Sequence, residues 1–234
     1  MATETSENYL KAIYSLAAES PTGEAAMSRI AAAVGVTTGT ATSMVKKLAG
    51  AKLARYERFG GVTLTSKGSK AALDILRRHR LVETFLVKTL KLDWSEVHAE
   101  AERLEHAVSP RVIEALDQHL GRPAFDPHGD PIPARDGALV EPELVSLADC
   151  KPSASGVIAR VLDQREASLR FLRTHGLEVG SKVAVKAVEP GAGTITIANS
   201  RGAAVHLSDS AARRVLVHVT KRRSASDGAR GASD

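Results

Sequence analysis

The chain has a single cysteine, Cys150, among 234 residues. One thiol cannot close an internal disulfide, which agrees with a reducing compartment, and it reads as a small buried residue rather than a reactive group. Long apolar runs are missing too. None approaches the ~20 residues that a membrane span requires, and Met1 to Tyr14 lacks a basic start followed by an apolar run. A cytoplasmic protein with no membrane partner is therefore expected. Nor does any Ser/His/Asp arrangement or glycine-rich phosphate loop accompany the acidic and imidazole groups described below, which argues against the common hydrolytic and nucleotide-dependent enzymes.

What is present is a segregated charge. The net charge is +5, but residues 1–80 carry 12 Lys/Arg against 6 Asp/Glu, residues 81–150 carry 6 against 14, and residues 151–234 carry 14 against 7. A basic first segment suits a polyanion, and an acidic middle suits cations.

The acidic middle contains RHRLVETFLVKTLKLDWSEVHAEAERLEH, ending at His106. At ~100° per residue, His98, Glu102, Glu105 and His106 share an arc of roughly 100°. Val97, Ala101, Leu104 and Val108 occupy the adjoining arc, predicted to be the core stripe. His79 and Glu83 sit at i, i+4 on an earlier helix and can address one spot. Together they form a candidate cage for one or two divalent cations; carboxylates packed this tightly beside a core repel one another unless a cation fills the space.

The basic first segment reads as a DNA-reading head. A helix capped by Ser6 runs to about Ala18, a second spans Ala26 to Val34, and after Gly35 a third, capped by Thr37 or Thr38, runs to about Ala49. Ala41, Met44, Val45 and Leu48 are placed inward. Thr37, Gly39, Thr40 and Ser43 face outward for base edges, and Lys46 and Lys47 are placed for phosphates. Leu53–Tyr56 and Gly61–Thr65 alternate like two strands about a glycine turn, a wing to which Arg58 adds charge beside the DNA backbone.

Taken in order, SENYLKAIY, the helix-turn-helix, GGVTLTSKG, HRLVETFL, VHAEAERLEH and DPHGDPIP resemble the diphtheria toxin repressor family, including its manganese transport regulators. The resemblance covers residues 5–135 and, more weakly, 152–219. It implies a homodimeric, metal-activated repressor of metal-uptake genes that binds double-stranded operator DNA, with Mn2+ or Fe2+ as corepressor. It places the activating site at Asn8, Glu102, Glu105 and His106, and a second site at His79, Glu83 and His98. Glu102 stands where iron-responsive members have cysteine, and Asn8 where the branches have methionine or aspartate. Three carboxylates, three imidazoles and an amide oxygen contain no sulfur, a hard to borderline set that suits Mn2+ or Fe2+. Without metal the cluster is expected to repel and to leave the first helix free to drift.

Beyond it, Pro110–His119 reads as a helix, and Leu81, Phe85, Leu86, Val108, Val112, Ile113 and Leu116 could serve either the core or a dimer interface. FDPHGDPIP reads as an ordered loop in which His128 is structural or solvated. VIARVL, KVAVKAV, TITIA, AVHL and VLVHV alternate as strands around one helix from Glu166 to His175, similar to the SH3-like domains of this family and of ferrous-transport accessory proteins. Aligning on GLEVG places that domain's family ligand positions at Arg165 and Ser168, neither a good ligand, with Asp163 and Glu166 the nearest acids. The expected fold is mainly α plus small β: residues 1–72 a winged helix-turn-helix, 73–142 a helical metal-binding and dimerisation domain, 143–220 an SH3-like β-barrel, and 221–234 a disordered tail. A dinuclear carboxylate enzyme is the alternative, but such bundles use Glu-x-x-His, whereas the order here is Glu102-x-x-Glu105-His106.

Overall fold

The computed structural model describes residues 3–57 and 60–220; Arg58 and the tail from 221 lie outside the described residues. The chain forms two compact units. The first comprises the described residues of Met1–Lys91, Ala99–Ala124 and Pro131–Val140, the second those of Leu92–His98, Phe125–Asp130 and Glu141–Asp234.

The first unit begins with α1 (Glu4–Ala18), α2 (Met27–Ala33) and α3 (Thr38–Gly50). Thr3, not Ser6, caps α1, because its Oγ1 accepts a hydrogen bond from the Ser6 N–H at 3.3 Å and satisfies an otherwise orphaned donor. Thr37 caps α3 in the same way through Thr40 N. Leu10 and Ile13 of α1, Ile30 of α2, and Ala41 and Val45 of α3 are fully buried together. Three helical faces thereby share one core, and α3 packs into it by its inner side.

The wing is shorter than its sequence pattern. β1 (Ala54–Tyr56) pairs antiparallel with β2 (Val62–Leu64), Arg55 opposite Thr63. It feeds directly into α4 (Ser66–Lys88), a helix of 23 residues. At ~1.5 Å per residue it is about 35 Å long. α4 packs on α1 and on α6 (Pro110–His119), while α5 (Val97–Leu104) lies between them in sequence. Two buried arginines of α4 hold the loop that follows α6. Arg77 donates to Pro133 O at 2.9 Å and to Asp117 Oδ2 at 2.8 Å, and Arg80 donates to Pro131 O. The residues offered equally to core and interface divide: Leu81, Leu86 and Ile113 are core, whereas Val112 is 48% exposed.

In the second unit an antiparallel six-stranded sheet runs β3-β8-β4-β5-β6-β7, built from β3 (Val145–Ser146), β4 (Ser155–Val161), β5 (Lys182–Glu189), β6 (Thr194–Ala198), β7 (Ala204–Ser208) and β8 (Val215–Thr220). Alternation along β7 buries Val205 and Leu207 and exposes Ala204, His206 and Ser208, as a strand with one face on a core requires. Register shifts at Ile158/Arg160 in β4 and at Val185/Ala187 in β5 mark bulges in the ladder. α7 (Glu166–Thr174) contributes Leu169 and Leu172 to the core of this unit, and α8 (Asp209–Ala212) contributes Ala212. His128 is fully buried in this unit, its Nε2–H donating to Trp94 O at 2.8 Å, so it is structural rather than solvated.

Gly68 ties wing to helix. A Cβ there would sit 1.9 Å from the carbonyl oxygen of Leu53. Gly68→Ala should therefore cost about 1–3 kcal/mol by overpacking, read as a lower urea midpoint; an unchanged midpoint would show that the strand–helix approach is compliant.

Candidate metal centre

The site lies where α1, α4 and the end of α5 meet in the first unit. α4 presents His79 and Glu83 on one face, both buried, with His79 Nε2 3.0 Å from Glu83 Oε1. α5 ends at Leu104, so Glu105 and His106 lie in the turn beyond it, although Glu105 N still donates to Ala101 O at 2.9 Å. That turn reverses one expectation. Leu104, placed on the core stripe, is 40% exposed, whereas Glu105 is 0% exposed. The carboxylate takes the inward position because two nitrogen donors wait there.

One donor is His79, whose Nδ1 meets Glu105 Oε2 at 2.5 Å. The other was not foreseen. Lys11 of α1 donates from Nζ to Glu105 Oε1 at 2.7 Å and to Glu102 Oε1 at 2.6 Å. The carboxylates expected to repel are thus bridged by an ammonium, and α1 is tied to the end of α5 rather than free of it. α1 also supplies Glu7 and Asn8: His106 Nδ1 lies 2.7 Å from Glu7 Oε2, and its Nε2 lies 2.8 Å from Asn8 Oδ1 and 3.3 Å from Glu105 Oε1.

Sequence reasoning missed Glu7 and Lys11. A signal was available: Glu7, Asn8 and Lys11 fall at i, i+1 and i+4 of α1, so they share the face beside the Leu10–Ile13 core stripe. Glu7 holds the imidazole nitrogen that faces away from Glu105, the outer carboxylate–histidine pairing that orients histidines in metal sites.

Electrostatics follow from burial. Desolvation pulls the His79 pKa down, but the charge of Glu83 and the hydrogen bonds to Glu105 and Glu83 outweigh it, and it rises to about 9. Desolvation likewise pushes the Glu105 carboxyl up, yet His79 and the Lys11 ammonium hold it below the ordinary glutamate range. On formal charges, the carboxylates of Glu7, Glu83, Glu102 and Glu105 face one ammonium and one imidazolium, leaving the cluster acidic.

The donor set fits a divalent cation. His79, Glu102 and Glu105 each offer an atom, all within 4.8 Å of one another; donors ~2.2 Å from one ion stand at most ~4.4 Å apart, so small side-chain shifts would close the set on an ion. Asn8 Oδ1 and His106 Nε2 complete a set of oxygen and nitrogen atoms. His98 sits half-buried in the first turn of α5, four residues before Glu102, and groups with the second unit. In that unit Asp163 is engaged by Arg165 Nε at 2.8 Å and Ser168 Oγ at 2.8 Å, and these hold its carboxyl far below the usual range. Glu166 is paired with Arg170.

Elsewhere in the first unit, Thr37, Gly39, Thr40, Ser43, Lys46 and Lys47 are all exposed along α3. The outward face therefore carries small polar groups followed by two ammonium groups. Arg58 falls outside the described residues.

Comparison with known proteins gives the family. The chain matches the family profiles of the iron dependent repressor N-terminal DNA binding domain over residues 1–62, the iron dependent repressor metal binding and dimerisation domain over residues 65–134, and the FeoA domain over residues 145–219. It is 33% identical over 207 residues to the iron-dependent repressor IdeR of Mycobacterium tuberculosis (strain ATCC 25618 / H37Rv), covering 83% of this chain and 89% of that protein. It is 36% identical over 116 residues to the HTH-type transcriptional regulator MntR of Shouchella clausii, covering 50% of this chain and 79% of that protein. A solved manganese-dependent transcriptional repressor in complex with manganese superposes with a TM-score of 0.85 at 40% identity, covering 92% of this chain and all of that one.

The raised His79 pKa sets a pH dependence for the metal-free protein. A group whose pKa is higher folded than unfolded stabilises fully below its unfolded pKa, ~6.5, and that stabilisation is lost as pH rises through about 9. In the presence of a chelator, stability from urea unfolding should fall by on the order of 1–3 kcal/mol between these limits, and His79→Gln should flatten the fall. An equal slope in both proteins would reject the assignment.

Proposed function

The chain belongs to the family of iron-dependent repressors, metal-dependent DNA-binding regulators rather than enzymes, and we propose that Mn2+, or Fe2+, is the corepressor that sets its grip on operator DNA. The observation that carries the reading is the convergence of His79, Glu102 and Glu105 within 4.8 Å, with Asn8 and His106 in contact beside them. Glu102, Glu105, His106 and Asn8 form the proposed activating set. His79 orients Glu105, and with Glu83 it is proposed to serve a second ion. The absence of sulfur among these donors supports manganese over softer ions. Selectivity against zinc and nickel, which bind such sets at least as tightly, then rests on coordination geometry and on the free ion concentrations of the cell.

A bound divalent ion supplies the positive charge that the acidic cluster lacks. The chain does the rest. Asn8 belongs to α1, whose Leu10 and Ile13 share a core with the inner side of α3. Glu102, Glu105 and His106 belong to the end of α5. Joining them fixes the reading helix relative to the helical region that carries exposed Leu104 and Val112, the surface proposed for homodimerisation. In a dimer two α3 helices would then address successive major grooves ~34 Å apart. Residues 1–72, 73–142 and 143–220 are the proposed domain limits, and the cytoplasm is the proposed compartment. Among the described residues no helix is long and apolar enough to cross a membrane.

Linkage of this kind amounts to ~1–3 kcal/mol, 5- to 150-fold in affinity, and is reciprocal. Gel-shift titration of a DNA selected in vitro with Mn2+ should show metal-dependent binding, weakened at least tenfold by His106→Ala or Glu105→Gln in folded protein. Binding that ignores a chelator would overturn the proposal.

A second measurement separates phosphate contacts from base contacts. Lys46→Ala and Lys47→Ala should each reduce the slope of log affinity against log salt by about 1, without changing sequence preference. Altered preference in these variants, or none in Thr40→Ala, would reassign the face of α3.

A further inference from the structure

Resting on the metal reading of the same carboxylates, we propose that Lys11 is a tethered stand-in cation. It neutralises Glu102 and Glu105 in the metal-free protein, must leave before an ion binds, and so sets the metal concentration at which the repressor responds.

The argument starts from Glu105. Its side chain is 0% exposed, and both its oxygens are already engaged, Oε2 by His79 at 2.5 Å and Oε1 by Lys11 at 2.7 Å. Lys11 also reaches Glu102 Oε1 at 2.6 Å, so one ammonium bridges the two carboxylates proposed as metal ligands. An ammonium and a divalent ion cannot share those oxygens. Each carboxylate oxygen keeps a second lone pair, so the exclusion is electrostatic: like charges a few ångströms apart inside a protein repel strongly. Occupation by one therefore excludes the other.

The geometry also allows the exchange. The Lys11 side chain is 13% exposed and Glu102 is 38% exposed, so the cluster opens to water on the side of this pair. A four-carbon stem with a compact, strongly hydrated head can swing outward without moving α1. Glu7, whose Oε2 lies 2.7 Å from His106 Nδ1, keeps α1 against the turn meanwhile. Metal then does not gather a repelled helix. It exchanges one tether between α1 and the end of α5, an ion pair, for another, a shared ligand set, and the response reflects the difference between the two.

The test uses the full chain and Mn2+ alone. Lys11→Gln should tighten Mn2+ binding by roughly ten- to a hundredfold, about the weight of one charge-assisted hydrogen bond, since the Glu102 partner is partly in water. It should also lower Tm in chelator and enlarge the rise in Tm on adding Mn2+. Lys11→Arg, which keeps the charge, should stay within about threefold of the parent. Unchanged or weaker Mn2+ binding by Lys11→Gln would overturn the proposal, even with a lower metal-free Tm, since Lys11 would then be an ordinary structural ion pair.

A measurement on the unaltered protein stands apart from any variant's folding. Amine labelling read by mass spectrometry should find Lys11 protected in chelator and reactive at saturating Mn2+; protection in both states overturns the exchange. Failure of the underlying metal reading looks different. The parent would then bind no Mn2+, or bind it equally after Glu105→Gln.

Discussion

A carboxylate removed from water must be neutralised where it sits, and Glu105 is where this chain meets that demand. Burying an ion costs several kcal/mol even after relaxation. Glu105 offsets the cost with His79 from α4 and Lys11 from α1. Three segments remote in sequence are thereby held to one charge. The same demand explains the turn after α5, where Leu104 is left 40% exposed so that Glu105 can point inward. A hydrophobic side chain in water is tolerable; an unpaired buried carboxylate is not.

This arrangement links the fold's two tasks in the first unit. α1 packs by Leu10 and Ile13 into the core that carries α3, and on an adjoining face it extends Glu7, Asn8 and Lys11 toward the end of α5. Whatever holds that second face positions α3 as well. α4 is the fixed member, since Arg77 and Arg80 secure the loop behind it through Pro133 and Pro131 while His79 and Glu83 face the cluster. A site built across helices in this way responds to charge as a change of position rather than as binding alone.

Local features of the chain were legible where a residue's role depends on its immediate neighbours. The inward stripe of α3, the strands of the second unit and the i, i+4 pair His79–Glu83 all follow from period and spacing. The N-cap of α1 moved from Ser6 to Thr3, because adjacent hydroxyl residues compete for the same amide and only the backbone geometry decides between them. The wheel at the end of α5 failed for a related reason. It assumes that helix continues through Glu105 and His106, and it ranks Leu104 by hydropathy with no account of the cations opposite.

The sequence by itself determined which chemistry this protein can perform: a basic reading head with small polar groups on one helix, and an acidic stretch whose donors are oxygen and nitrogen without sulfur. Those are properties of composition and of spacing within one element, and no partner is needed to read them. Only the tertiary structure decided which charges meet. It set Lys11 between Glu102 and Glu105, Glu7 behind His106, and Glu105 rather than Leu104 inside, contacts that in the case of Lys11 span 91 and 94 positions of chain. Electrostatic energy depends on distance in space and on the water excluded around it, and neither quantity exists until the helices have packed.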